Sequence, residues 1–102
     1  MTKRKRLSPK QRRRKLLKDA PENMQFWLKT GIPIKNLVEL SNAFEHMEHD
    51  TYYHHANEQR NDFSSWVKEV LDEKTLARDL QTAKSKQEAH ILTLKHIVKN
   101  LS

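Results

Sequence analysis

One glycine and three prolines serve all 102 residues of this chain. A β-sandwich or barrel needs a turn signal roughly every 8–12 residues, so this scarcity points away from both. It favours helices joined by short polar connections. The apolar spacing agrees. Phe63, Trp66, Val67, Val70 and Leu71 fall at i, i+3, i+4, i+7 and i+8, a complete helical stripe with Asn61 or Asp62 as its cap.

Other segments read in the same way. Asn36 caps a helix with Glu39 three positions on, and Leu37, Leu40, Phe44 and Met47 form its inner face. Asp50 or Thr51 starts a shorter helical turn through Tyr52, Tyr53 and Ala56. Asp72 caps a helix whose inner face is Leu76, Ala77 and Leu80. Ser85 and Glu88 make a capping box for a last helix with Ile91, Leu94, Val98 and Leu101 on its inner side, broadened by Leu92 and Ile97. Met24 to Lys29 reads as a strand, Thr30-Gly31 as a turn and Ile32-Pro33-Ile34 as a second extended piece. A two-stranded hairpin is marginal alone and must lie on helices. The expected fold is therefore mainly α: about four short helices with a small N-terminal β-hairpin, preceded by a basic arm that is disordered or helical.

Charge divides the chain at the same place as periodicity. Half of its twenty Lys and Arg lie in residues 1–19, where one Asp opposes them, so that segment carries +9. Residues 20–102 hold ten Lys/Arg against twelve Asp/Glu, a net −2. This gives a division into a basic arm, 1–20, and a small helical domain, 21–102. Residues 1–7 lack apolar periodicity and are expected to be disordered alone. At Ser8-Pro9-Lys10-Gln11 an N-cap, an N1 proline and a capping-box glutamine coincide, which predicts a helix from Pro9 to about Lys18. So short a helix orders only on a partner or against the domain.

Composition excludes several functions. Without cysteine there is no disulfide, thiol nucleophile or cysteine zinc site. No apolar run approaches the roughly 18 residues of a membrane span. The basic N-terminus is not followed by an apolar core, so it does not read as a secretory signal, and an intracellular location is expected: cytoplasm, nucleoid or nucleus.

A cationic arm points to a polyanion. Lysine and arginine neutralise phosphates and release condensed counterions. The candidate contacts are Lys3, Arg4, Lys5, Arg6, Lys10, Arg12, Arg13, Arg14, Lys15 and Lys18. On a helix Arg12, Arg13 and Arg14 point about 100° apart, which suits a groove better than a flat face. The same clusters, Lys3–Arg6 and Arg12–Lys15, also resemble a bipartite nuclear import signal. Membrane attachment is disfavoured, because Leu7, Leu16 and Leu17 offer little to insert. Four of the six histidines, His46, His49, His54 and His55, lie within ten residues, and His46 and His49 have the i, i+3 spacing of a shared metal. No His-Glu-x-x-His accompanies them, so surface histidines beside carboxylates account for the cluster and no metal or cofactor is expected. A His–Asp pair with Ser64 or Ser65 would need an oxyanion loop, and the single glycine, Gly31, is far off in the hairpin. Phe26, Trp27, Tyr52 and Tyr53 read mainly as core rather than as a base-stacking platform.

Asn61-Asp62-Phe63-x-x-Trp66-Val67, with His54 or His55 upstream, Asp72-Glu73-x-x-Leu76-Ala77 downstream and Asn36-Leu37-x-Glu39-Leu40 before them, resembles a small domain of unknown function found mainly in archaea and some bacteria. The similarity covers about residues 26–82. It implies a compact, mostly helical domain with an extended N-terminal segment, and implies no activity, cofactor or ligand. The expected function is non-enzymatic nucleic-acid binding through the arm, with little sequence preference and with the domain free for a protein partner or for self-association. The alternative is a protein–protein adaptor whose basic arm only localises it.

Overall fold

Six α-helices and one two-stranded antiparallel sheet make up the fold in the computed structural model, which describes residues 7–101. In chain order they are α1 (Pro9–Leu16), β1 (Phe26–Trp27), β2 (Pro33–Ile34), α2 (Leu37–His46), α3 (His49–His55), α4 (Asp62–Glu69), α5 (Lys74–Thr82) and α6 (Lys86–Leu101). A 3-10 turn, Glu22–Met24, precedes β1. The mainly helical class and the hairpin agree with the sequence reading. The helix count does not: six stand where about four were expected. The helical turn expected to start at Asp50 or Thr51 is a helix of its own that starts earlier, at His49 after Glu48, and α1 adds another within the arm.

Local signals explain most boundaries. Ser8 and Gln11 form a complete capping box on α1, with Ser8 Oγ accepting from Gln11 N–H at 3.2 Å and Gln11 Oε1 accepting from Ser8 N–H at 2.9 Å. Asn36 Oδ1 accepts from Glu39 N–H at 2.8 Å and Asn61 Oδ1 from Ser64 N–H at 3.0 Å, so Asn61 rather than Asp62 caps α4. The strands are shorter than expected, and their register pairs Phe26 with Ile34 and Trp27 with Pro33. Gly31 turns the hairpin at φ 89°, a left-handed conformation that favours glycine.

The expected cap of α5 is corrected. Asp72 does not cap it; Glu73 occupies the N-cap position, and its side chain makes no cap hydrogen bond. Asp72 instead takes a left-handed conformation, φ 56°, that reverses the chain after α4. Glu73 N–H then reaches back to Val67 O at 3.1 Å.

The core is an aromatic stack under the hairpin. Phe63 is fully buried; it stacks on Tyr52 at 5.7 Å and on Phe26 at 5.0 Å, and meets Phe44 edge-on at 4.9 Å. Burying one such ring stabilises the fold by about 1.5–3 kcal/mol. Leu37, Leu40 and Phe44 of α2 with Met47 just past its end, and Leu76, Ala77 and Leu80 of α5, point inward as their spacing predicts. Trp66 closes one side and donates its indole N–H to Met24 O at 2.8 Å.

Of the apolar side expected on the last helix, Ile97 alone is buried. Ile91, Leu94, Val98 and Leu101 are 51, 43, 64 and 39% exposed. The buried residues of α6 are Ala89, Thr93, His96 and Ile97. This face packs on α2 and α1, and Thr93 satisfies its hydroxyl on Ala89 O at 2.8 Å. None of the helices among the described residues is long and apolar enough to cross a membrane.

Candidate nucleic-acid interface

The arm is not wholly free. Its helix α1 lies against α6 and buries Leu16 to 1% exposure. Beyond it, Ala20 N–H donates to Lys35 O at 2.6 Å, and Asn36 Nδ2 donates to Asp19 Oδ1 at 2.8 Å. The segment from Pro9 onward therefore packs on the folded body.

Docking sorts the ten candidate cations into three groups. Lys3, Arg4, Lys5 and Arg6 lie outside the described residues. Lys10, Arg13, Arg14 and Lys18 are exposed on or beside α1. Arg12 and Lys15 turn inward. Arg12 Nη1 and Nη2 donate to the two carboxylate oxygens of Glu73 at 2.9 and 2.8 Å, and Nε donates to Asn100 Oδ1 at 3.0 Å. Lys15 Nζ donates to Asp72 O at 2.6 Å and lies 3.5 Å from Asp72 Oδ2.

Glu73 is the hub. Its side chain is 2% exposed, and it also accepts from His96 Nε2 at 2.9 Å. Burial alone would raise its pKa. Hydrogen bonds from His96 and Arg12, with the charges of Arg12 and Lys15, outweigh burial and lower it to about 2. The same hydrogen bond raises the Arg12 pKa, so the pair is firmly ionised. Sequence reading did not select Glu73, His96 or Asn100. Only the excess of basic residues on α1 hinted that a carboxylate of the body would answer it.

The histidine cluster does not form a ligand set, although His54 and His55 meet edge-on at 4.8 Å. His46 is exposed and donates Nδ1–H to Asn42 O at 2.9 Å, with Glu45 3.7 Å from its other nitrogen. His55 is buried, with both nitrogens engaged. Lys29 N–H donates to Nε2 at 3.0 Å, which requires the proton on Nδ1, and Nδ1–H donates to Asp62 Oδ2 at 3.0 Å. His55 thus ties the hairpin to α4 and has no free nitrogen for a nucleophile or a metal. Ser64 likewise spends its hydroxyl on Ala77 O at 2.6 Å, while Ser65 caps back onto Asn61 O at 3.2 Å. Among the described residues no three His, Asp or Glu side chains converge as a metal site.

Of the four aromatics considered for stacking, Phe26 and Tyr52 are core. Trp27 and Tyr53 are 60 and 47% exposed, and the Tyr53 hydroxyl is held by Lys84 O at 3.0 Å. No protein-family model, curated protein or solved structure matches this chain, so the roles of Asn61, Phe63 and Trp66 rest on their geometry alone.

Proposed function

We propose that this protein is a non-enzymatic, intracellular nucleic-acid-binding protein that grips backbone phosphates through its basic N-terminal segment, with little sequence preference. The observation that carries the reading is the outward row Lys10, Arg13, Arg14 and Lys18, held on a helix that Arg12, Lys15 and Leu16 anchor to the body. A helix already docked presents its cations at a lower ordering cost than a free tail does. Lys3, Arg4, Lys5 and Arg6 extend the same charge along the chain. Arg12 and Lys15 become positioning residues rather than phosphate contacts.

Binding of a labelled duplex DNA and a single-stranded RNA over a salt series tests the reading. With roughly 6–10 phosphate contacts, affinity falls about 10³–10⁵-fold between 50 and 200 mM salt. The variant should be Arg13→Gln/Arg14→Gln, not a truncation. Removing residues 1–19 would also uncover α6 and deprive buried Glu73 of Arg12 and Lys15, leaving it His96 alone. Equal affinity of variant and wild type, or a flat salt response, rejects the reading.

A second reading, the protein–protein adaptor, draws on the exposed face of α6. Ile91, Leu94 and Leu101 form an apolar stripe of the kind that marks contact surfaces. There the arm only localises the molecule, and partners captured by the wild type persist in the Arg13/Arg14 variant.

A further inference from the structure

A cavity of about 250 Å³ opens between α1, α5 and α6, with Arg12, Thr75, Lys95 and Lys99 among its walls. Its volume equals roughly eight waters, enough for a phosphate group and part of its sugar. Lys95 and Lys99 are exposed, one helical turn apart on α6. Neither ammonium has a hydrogen-bond or ion-pair partner among the described residues. Like charges at i, i+4 disfavour a helix, so this pair at one cavity carries a cost that a bound anion would relieve. Arg12 spends three of its five N–H donors on Glu73 and Asn100, leaving two. Glu73 balances its charge from behind, and Asp79 is the one carboxylate on the wall, so the two lysines leave the mouth net positive.

We propose that this cavity seats a backbone phosphate of a bound polynucleotide, with Lys95 and Lys99 as its cations and Thr75 as a hydroxyl donor. The proposal rests on the nucleic-acid reading above and deepens it. The contact surface then runs from the outward side of α1 onto α6, across an edge that Arg12 and Asn100 hold closed at 3.0 Å. This explains why the docked helix matters: it builds one wall of the seat. Lys95 and Lys99 belong to the near-neutral part of the chain, where net charge gives no reason to look for phosphate contacts.

The test uses the full chain. Inorganic pyrophosphate is titrated first and followed by NMR. The expected result is saturable shifts at Thr75, Lys95 and Lys99 that vanish in Lys95→Gln/Lys99→Gln. Labelled duplex DNA and single-stranded RNA are then titrated over a salt series, which shows which polynucleotide supplies the phosphate. The double variant should lose roughly tenfold in affinity and about one unit of salt slope. Lys29→Gln/Lys84→Gln removes the same charge from residues outside the cavity and should lose much less. Equal losses in the two double variants, or pyrophosphate shifts located elsewhere, overturn the seat. If Arg13→Gln/Arg14→Gln weakens binding while Lys95→Gln/Lys99→Gln matches its control, the seat alone falls. If the wild type binds neither polynucleotide, the nucleic-acid reading falls, and the pyrophosphate shifts decide the anion site separately.

Discussion

Arg12 and Glu73, 61 residues apart, meet in a two-pronged pair at 2.9 and 2.8 Å that fastens the first helix to the corner between α4 and α5. Both prongs are charge-assisted, and the acid is buried while the base stays partly open to solvent. The pair also takes Arg12 out of the set of cations that α1 turns to solvent.

Arg12→Ala should destabilise the protein by about 3–5 kcal/mol, since it strips a buried carboxylate of both guanidinium hydrogen bonds. Urea unfolding measures the loss. Hydrogen exchange and trypsin cleavage after Arg13 and Arg14 should rise as α1 detaches. The double variant Arg12→Met/Glu73→Gln should recover much of the stability, because no charge is then buried alone. A stable Arg12→Ala protein with α1 still protected would refute this account of the anchor.

Glu73 also sets a pH dependence. Its folded pKa is about 2, below the ordinary value of 4.5, so its contribution is fully present above pH 4.5 and is lost as pH falls toward 2. The shift corresponds to a loss on the order of 3 kcal/mol. Unfolding free energy measured from pH 6 to 2 should drop more steeply for the wild type than for Glu73→Gln across that window. Parallel curves would show that another carboxylate controls acid unfolding.

Much of the body was legible in the sequence because caps and stripes are local. Asn36, Asn61 and the Phe63–Leu71 spacing each act within one or two turns of chain. Three features were not legible. The inner face of α6 was misread because spacing counts large apolar residues, while the packed face is chosen by what it meets. On the packed face His96 reaches Glu73 beside Ala89, Thr93 and Ile97, while Ile91 and Leu94 are exposed. Asp72 was misread as a cap because a short polar residue before a helix serves equally as a left-handed reversal, and only the path of the chain after α4 distinguishes the two. The arm cations could not be sorted either, since their partners, Asp72 and Glu73, lie far along the chain.

His55 carries a tautomer prediction. Because Nε2 accepts from Lys29 N–H, the neutral ring holds its proton on Nδ1, toward Asp62. Long-range proton–nitrogen NMR at neutral pH should show Nδ1 protonated and Nε2 bare, the less common arrangement for a free histidine. His55→Leu keeps the bulk among Phe26 and Phe63 but leaves the Lys29 amide unpaired. A cost of about 1–3 kcal/mol is expected, with hydrogen exchange at Lys29 rising in step. An Nε2–H signal would contradict the hairpin anchor described here.

The two faces of α6 predict opposite responses to substitution. Leu94 is 43% exposed, so Leu94→Ser should shift stability by no more than about 0.5 kcal/mol. Ile97 is 8% exposed against the body, so Ile97→Ala should cost about 2–4 kcal/mol through lost burial and the cavity it leaves. Denaturant midpoints for the two variants, taken at equal slope, separate the faces directly. If Leu94→Ser were the more damaging change at low protein concentration, the helix would be rotated from the orientation described. If its effect grew with protein concentration while Ile97→Ala did not, the stripe would be buried between molecules, because only an intermolecular contact responds to dilution.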